Sequence, residues 1–186
     1  EALATRFDVQ LLSFRFFREE IFKPLKDVKP GFETVYLPGG EFPAFFDSIE
    51  QALSRIDGDI VYVVKPRLPS LGLALLANSR KGLPIVLEIN DLETVVGEPT
   101  ETDQHAEADF FTAELDDPAL PNPYSDLWSQ LMDPLAKQLP LVVTHNQGID
   151  RHFDRRCLYL RNVKDEKVYD PSLYDRDRIR AELGFG

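Results

Sequence analysis

Residues 59–89, DIVYVVKPRLPSLGLALLANSRKGLPIVLEI, decide the fold. Asp59–Lys65 and Pro84–Ile89 are short apolar runs of Val, Ile, Leu and Tyr, the composition of strands buried on both faces of a parallel sheet. Between them, Pro69-Ser70 opens a helix over 69–80 carrying Leu71, Leu75 and Leu76. Lys81-Gly82 then supplies a cationic last turn and a cap. Strand, helix and strand fit within 31 residues, the length of one right-handed parallel crossover.

The same alternation extends in both directions. Asp8–Ser13, Glu33–Leu37, Leu141–Thr144 and Arg156–Leu160 read as further strands. Phe42, Phe45, Phe46, Ile49, Leu53 and Ile56 recur at three- and four-residue spacing, so a helix over 43–56 lays one apolar stripe on the sheet. A longer helix is predicted over 122–139 around Trp128, Leu131 and Leu135, with Pro134 expected to kink or divide it. A last helix covers Asp175–Leu183. The stretch 97–123, rich in Thr, Asp and Glu and carrying Pro99, Pro118, Pro121 and Pro123, reads as a long surface excursion with a helical piece at Ala106–Leu115. The predicted fold class is α/β: a Rossmann-like parallel sheet with helices on both faces. A length of 186 residues suits one such domain.

Charge narrows the partners. With 21 basic and 32 acidic residues the net charge is −11, which repels nucleic acid and disfavours an anionic membrane as a partner of the whole surface. A local basic edge at Lys23, Lys26 and Lys29 leaves a peripheral membrane contact open. The one cysteine, Cys157, precludes an internal disulfide, reads as a small hydrophobe at a strand edge, and favours an intracellular location. No run reaches the ~18 apolar residues of a membrane span.

In a parallel sheet, chemistry gathers on the loops leaving the carboxyl ends of strands. After Asp59–Lys65 the chain reads Lys65-Pro66-Arg67-Leu68-Pro69-Ser70. Its two cations and the following helix start suit an anionic or sugar-linked group, or else form a solvated, proline-stiffened turn. After Pro84–Ile89, alternation puts Glu88 and Asn90 on one side, with Asp91 at the strand end. Asp91 there accepts hydrogen bonds from hydroxyls, takes part in catalysis, or caps the next turn. His145 and Asn146 leave Leu141–Thr144 at the mouth of the same cleft, unless Asn146 caps a helix instead. His105 is a proton-transfer candidate if the acidic excursion folds over the cleft. Histidine spacing forms no metal set. Asp57-Gly58-Asp59 precedes its strand and reads as a turn, and Gly39-Gly40 is a turn or a weak phosphate contact. Neither a dinucleotide fingerprint nor a phosphate-binding loop with Lys-Ser/Thr occurs.

Gly58–Arg67, Ser70–Ala77 and Gly82–Glu93 together resemble the N-terminal domain of family 4 glycosyltransferases. Leu141–Thr144, Phe153 and Tyr159–Val163 resemble that domain's last strands. Asp170-Pro171 and Arg180-Ala181-Glu182-Leu183-Gly184 resemble its exit toward a second domain. The resemblance implies half of a GT-B arrangement: an acceptor-side domain over 1–173, and from 174 to 186 the start of a linker to a C-terminal donor domain. It implies a retaining transfer from a nucleotide-sugar donor, without metal or resident cofactor, to a glycan, lipid-linked or small-molecule acceptor at the cytoplasmic face. Lys65, Arg67, Asn90 and His105 would then contact acceptor, Asp91 would serve catalysis, and His145, Asn146 and Asn162 would face the interdomain cleft. Asn90-Asp91 stands where many members carry a histidine, and Arg161-Asn162-Val163 replaces Pro-Asn-Gly. Ala2–Val9 corresponds to the end of the first helix and the start of the second strand. The opening strand is therefore expected upstream, leaving an exposed strand edge. The contrasting readings are a non-catalytic Rossmann-like binding or regulatory module, and another nucleotide-sugar enzyme such as an epimerase.

Overall fold

Six strands and five α-helices form among the residues described by a computed structural model, which are 3–16, 30–91, 117, 119–160, 170, 172 and 174–184. In chain order they are β1 (Gln10–Arg15), β2 (Glu33–Pro38), α1 (Phe45–Arg55), β3 (Val61–Val64), α2 (Leu73–Lys81), β4 (Ile85–Ile89), α3 (Asp126–Ala136), β5 (Val142–Thr144), α4 (Gln147–His152), β6 (Leu158–Tyr159) and α5 (Arg176–Glu182). Every strand pair is parallel. Parallel strands flanked by helices give the Rossmann-like α/β architecture, that of one half of a GT-B arrangement. Among the described residues no helix is long and apolar enough to cross a membrane.

The strands do not form one continuous sheet. β1 pairs with β2 alone, while β3, β4, β5 and β6 form a second sheet in that order. Among the described residues no strand is hydrogen-bonded to strands of both sheets. What joins the two sheets is a helical layer. Leu12 and Phe14 of β1, Leu37 of β2, Ala52 and Leu53 of α1, Leu73 and Ala77 of α2 and Val61 of β3 belong to one apolar cluster. Val61 also belongs to the larger cluster around Val63, Leu87, Ile89, Met132, Ile149 and Phe153.

Polar contacts reinforce the α1–α2 junction. Arg80 donates to both carboxylate oxygens of Glu50 at 2.8 Å. Lys81 Nζ donates to the carbonyl oxygens of Leu53, at 2.6 Å, and of Ile56, capping the last turn of α1 from the last turn of α2.

Local deviations have local causes. β1 runs two residues beyond its expected end because Phe14 and Arg15 keep register with Leu37 and Pro38, and the Phe14 ring packs edge-on against Phe45 at 5.0 Å. The helix predicted over 69–80 opens with a π-helical turn, Leu68–Gly72, where a Cβ on Gly72 would lie 2.9 Å from Leu68 Cδ1. It ends as expected, on Gly82 at φ 70° after Arg80 and Lys81. Pro134 does not divide α3. It falls in the last turn, so its missing N–H removes one hydrogen bond from a helix that stops two residues later. β6 is shorter than the predicted Arg156–Leu160. The helical piece at Ala106–Leu115 and the basic edge of Lys23, Lys26 and Lys29 lie outside the described residues.

Two outcomes follow for the helical layer. Ala77 is fully buried, so Ala77→Leu overpacks the junction and lowers stability by about 1–3 kcal/mol in urea unfolding. Arg80, chiefly through its hydrogen bonds, holds the Glu50 carboxyl below its usual range. A depressed acid stabilises the fold above the unfolded-state value and loses that contribution as pH falls through the folded one. Glu50→Gln should therefore flatten the acid limb of stability against pH. The effect is small and salt-sensitive because the pair is exposed.

Candidate functional site

The carboxyl ends of β3, β4 and β5 lie side by side, and the residues just beyond them form two linked pairs. Lys65 leaves β3 with φ 74°, in the left-handed region. Its N–H donates to the Glu88 carbonyl at 3.0 Å, and its own carbonyl accepts from the Ser70 hydroxyl at 2.6 Å. Held at both ends, the residue turns sharply and directs its ammonium to Asp91, with Nζ 3.6 Å from Oδ2. Asp91 follows β4 and is 72% exposed against 39% for Lys65. An ion pair this exposed contributes about 0–1 kcal/mol, so an incoming hydroxyl or anion displaces it readily.

The second pair lies one strand over. Asn90 Oδ1 and His145 Nδ1 are 3.0 Å apart, joining the ends of β4 and β5. In the neutral tautomer that donates from Nδ1–H to Asn90, His145 Nε2 is a lone-pair acceptor. Thr144, fully buried, fixes this corner: its hydroxyl donates to the Ile89 carbonyl at 2.8 Å and accepts from the Asn146 N–H at 3.1 Å. The edge thus presents an ammonium, a carboxylate, an amide and an imidazole in succession. That set both donates to and accepts from hydroxyls.

The other sequence candidates fall elsewhere. Arg67 turns toward α3. Its Nη1 donates to the Tyr124 carbonyl at 3.1 Å and to Ser129 Oγ at 3.3 Å, it lies 3.6 Å from Asp126, and its guanidinium stacks on the Tyr124 ring at 4.5 Å. This half-buried clamp holds the start of α3 against the β3 exit loop. Asn146 caps α4, its Oδ1 accepting from the Gly148 N–H at 2.7 Å, as the capping alternative predicts. His105 and Asn162 lie outside the described residues. Asp57-Gly58-Asp59 precedes β3, at the opposite edge from the site. Gly39-Gly40 makes a turn whose Gly39 N–H donates to the Arg15 carbonyl at 2.8 Å, where a Cβ would lie 2.3 Å from that oxygen.

Three features escape sequence reasoning. Tyr62 Oη donates to Glu88 Oε2 at 2.8 Å across β3 and β4, and burial, with help from Glu88, pushes the phenol up to about 12. The signal is the diagonal placement of positions 62 and 88 on one face, visible only once the register Val64↔Glu88 is known. His152 Nε2 lies 2.9 Å from Asp133, which also pairs with Lys137 at 3.0 Å, tying α4 to α3. Beside the β3 exit loop lies an apolar cavity of 670 Å³, lined by Phe42, Phe46, Leu68, Leu73, Leu76 and Trp128. Cys157 packs against the main core cluster, and burial pushes its thiol up, which makes it a poor nucleophile.

No protein-family model matches the chain, and no curated protein matches it either. What the fold establishes is therefore general: a Rossmann-like domain with a polar cluster at the carboxyl edge. Among the described residues no group of acidic, histidine or cysteine side chains is placed to hold a metal ion.

The Lys65 backbone offers a direct check. A left-handed residue costs roughly 1–2 kcal/mol unless it is glycine, whose extra unfolded-state entropy returns about half of that. Lys65→Gly should leave stability unchanged or raise it by up to about 1 kcal/mol, whereas Lys65→Val should lower it by about 1–2 kcal/mol. A Lys65→Gly protein that unfolds at markedly lower urea would show that the ammonium, not the turn, carries the stabilisation.

Proposed function

We propose that the chain is the acceptor-side half of a retaining hexosyl-type glycosyltransferase, taking a sugar from a nucleotide-sugar onto a glycan, lipid-linked or small-molecule acceptor. The observation that carries this reading is the run Lys65–Asp91 and Asn90–His145 along the carboxyl edge of a parallel sheet. A polyol is the ligand such a set suits, because each hydroxyl both donates and accepts. In this reading Asp91 accepts from the attacking hydroxyl and orients it, and Lys65 and Asn90 hold its neighbours. His145 Nε2 accepts a further hydroxyl. The apolar cavity beside the β3 exit loop suits the hydrocarbon portion of a lipid-linked acceptor.

The donor's phosphates belong, on this reading, to a C-terminal domain across the cleft. Transition-state charge is then stabilised from both sides, which one half alone cannot preorganise. Arg67, occupied with Tyr124 and Ser129, supports the acceptor side by fixing the exit loop. The order of elements and motifs that resembles family 4 glycosyltransferases supports the same reading, as does a basic edge at Lys23, Lys26 and Lys29 for a peripheral, cytoplasmic-face contact.

The test is a transfer assay on the full-length protein against a panel of nucleotide-sugars, repeated with Asp91→Ala. A hydrogen bond to a charged group contributes about 1.5–3 kcal/mol, so kcat/KM should fall about ten- to a hundredfold. Unchanged kcat and KM would reduce Asp91 to a turn residue. Absence of any transfer by the full-length protein would instead favour a binding module.

A further inference from the structure

The 670 Å³ cavity beside the β3 exit loop is walled by apolar residues alone. Phe46 comes from α1, Leu73 and Leu76 from α2, and Trp128 from α3, and the Phe42 ring bridges Phe46 at 4.7 Å and Trp128 at 5.8 Å. Two polar groups of the wall are already paired within it. The Trp128 indole N–H donates to the Leu120 carbonyl at 3.0 Å, and the Phe42 N–H to the Pro121 carbonyl at 2.7 Å. A sugar, phosphate or base placed inside would give up its water hydrogen bonds and meet no polar side chain, whereas hydrocarbon gives up none.

The cavity also has a direction. Phe46 and Leu76 form its mouth, 56% and 38% exposed. One helical turn further on, α1 and α2 close on each other. Ala52 and Ala77 are fully buried there, and Glu50 and Arg80, one turn past Phe46 and Leu76, pair across the crevice at 2.8 Å. At the other end Leu68 and Pro69 belong to the exit loop that starts at Lys65. A chain lying here is stopped at the helix junction and leads back toward the Lys65–Asp91 pair.

We propose that this cavity is a tail site: it holds one hydrocarbon chain, and the chain, more than the sugar, selects the acceptor. The inference rests on the acceptor-side reading above and narrows its acceptor to the lipid-linked class. Size fits one small molecule, since pockets of roughly 300–1,000 Å³ hold a single ligand. Affinity follows the tail, because each buried methylene tightens binding roughly fourfold, while a hydrogen bond at the exposed edge replaces one already made to water. Uptake of a single chain is favoured over insertion of the mouth into a bilayer. The surface is recessed at this point, and a net charge of −11 opposes approach to anionic lipid.

The indole N–H resonance of Trp128, assigned by its loss in Trp128→Phe, reads the cavity wall in the full-length protein. The probes are straight 1-alkanols from butanol to octanol, each kept below its solubility limit. The resonance should shift with every alcohol. Kd should tighten about fourfold per added methylene, levelling off only where the cavity is full. Leu76→Glu and Phe46→Glu each set a carboxylate at the mouth and should weaken octanol by about tenfold or more. Both positions are exposed, so the fold should persist, and one variant suffices if the other unfolds. An indole unmoved by every alcohol overturns the proposal, as does affinity independent of chain length or unchanged in a folded variant. A response to vesicles of neutral phosphatidylcholine without one to the soluble alcohols overturns it too, in favour of a membrane-inserting patch. Glucose and octyl β-glucoside separate this inference from the reading beneath it. If octanol binds but the glucoside binds no tighter, the tail site stands and the polyol reading of the edge fails. If glucose shifts the Lys65 and Asp91 amides while no alcohol reaches Trp128, the edge reading stands and the tail site falls.

Discussion

The contact between α1 and α2 is what makes two sheets one domain. β1 and β2 share no strand pairing with β3–β6, so the connection runs through Ala52, Leu53, Leu73 and Ala77 packed over both. Alanines at the junction let the helix axes approach closely. The Lys81 cap on α1, with the exposed Glu50–Arg80 pair beside it, ties the two helices together at one end. Lys65, Asn90 and Asp91 at the carboxyl edge inherit their position from this layer, because α1 delivers the chain to β3 and α2 delivers it to β4.

From there, parallel geometry explains the site. Strands running in one direction bring their exit loops to one edge, and each loop here contributes a polar group: Lys65 from β3, Asn90 and Asp91 from β4, His145 from β5. The backbone beneath is held firmly, by Ser70 on the Lys65 carbonyl and by buried Thr144 on Ile89. The side chains above are held loosely, in an exposed ion pair and a half-buried amide–imidazole contact. Firm backbone under exchangeable side chains is the arrangement a binding edge requires.

Much of this was legible in the sequence, for identifiable reasons. Short apolar runs announced all six strands found among the described residues, and the Lys81-Gly82 stop was read correctly because its chemistry is local. Asn90 and Asp91 could be placed at a strand end by counting alternation alone. Arg67 was different: its partners Tyr124 and Ser129 lie more than fifty residues away, and nothing local distinguishes a clamp from a ligand-binding cation. The split sheet was equally invisible, since strand propensity says nothing about which edges meet. Tyr62–Glu88 and His152–Asp133 depend on register and helix packing, which exist only once the chain has folded.

The central claim is that the carboxyl edge, with the apolar cavity beside it, receives a hydroxyl-rich acceptor. Its most direct test is a nuclear magnetic resonance titration of the full-length protein with octyl β-glucoside below its micelle concentration, a probe with a sugar head and a hydrocarbon tail. The account predicts shifts at the amides of Lys65, Asn90 and Asp91 and at the His145 ring, together with the indole of Trp128, the chain's one tryptophan. Shifts confined to the opposite edge, around Asp57–Asp59 and Gly82–Pro84, or no shifts at all, would contradict it.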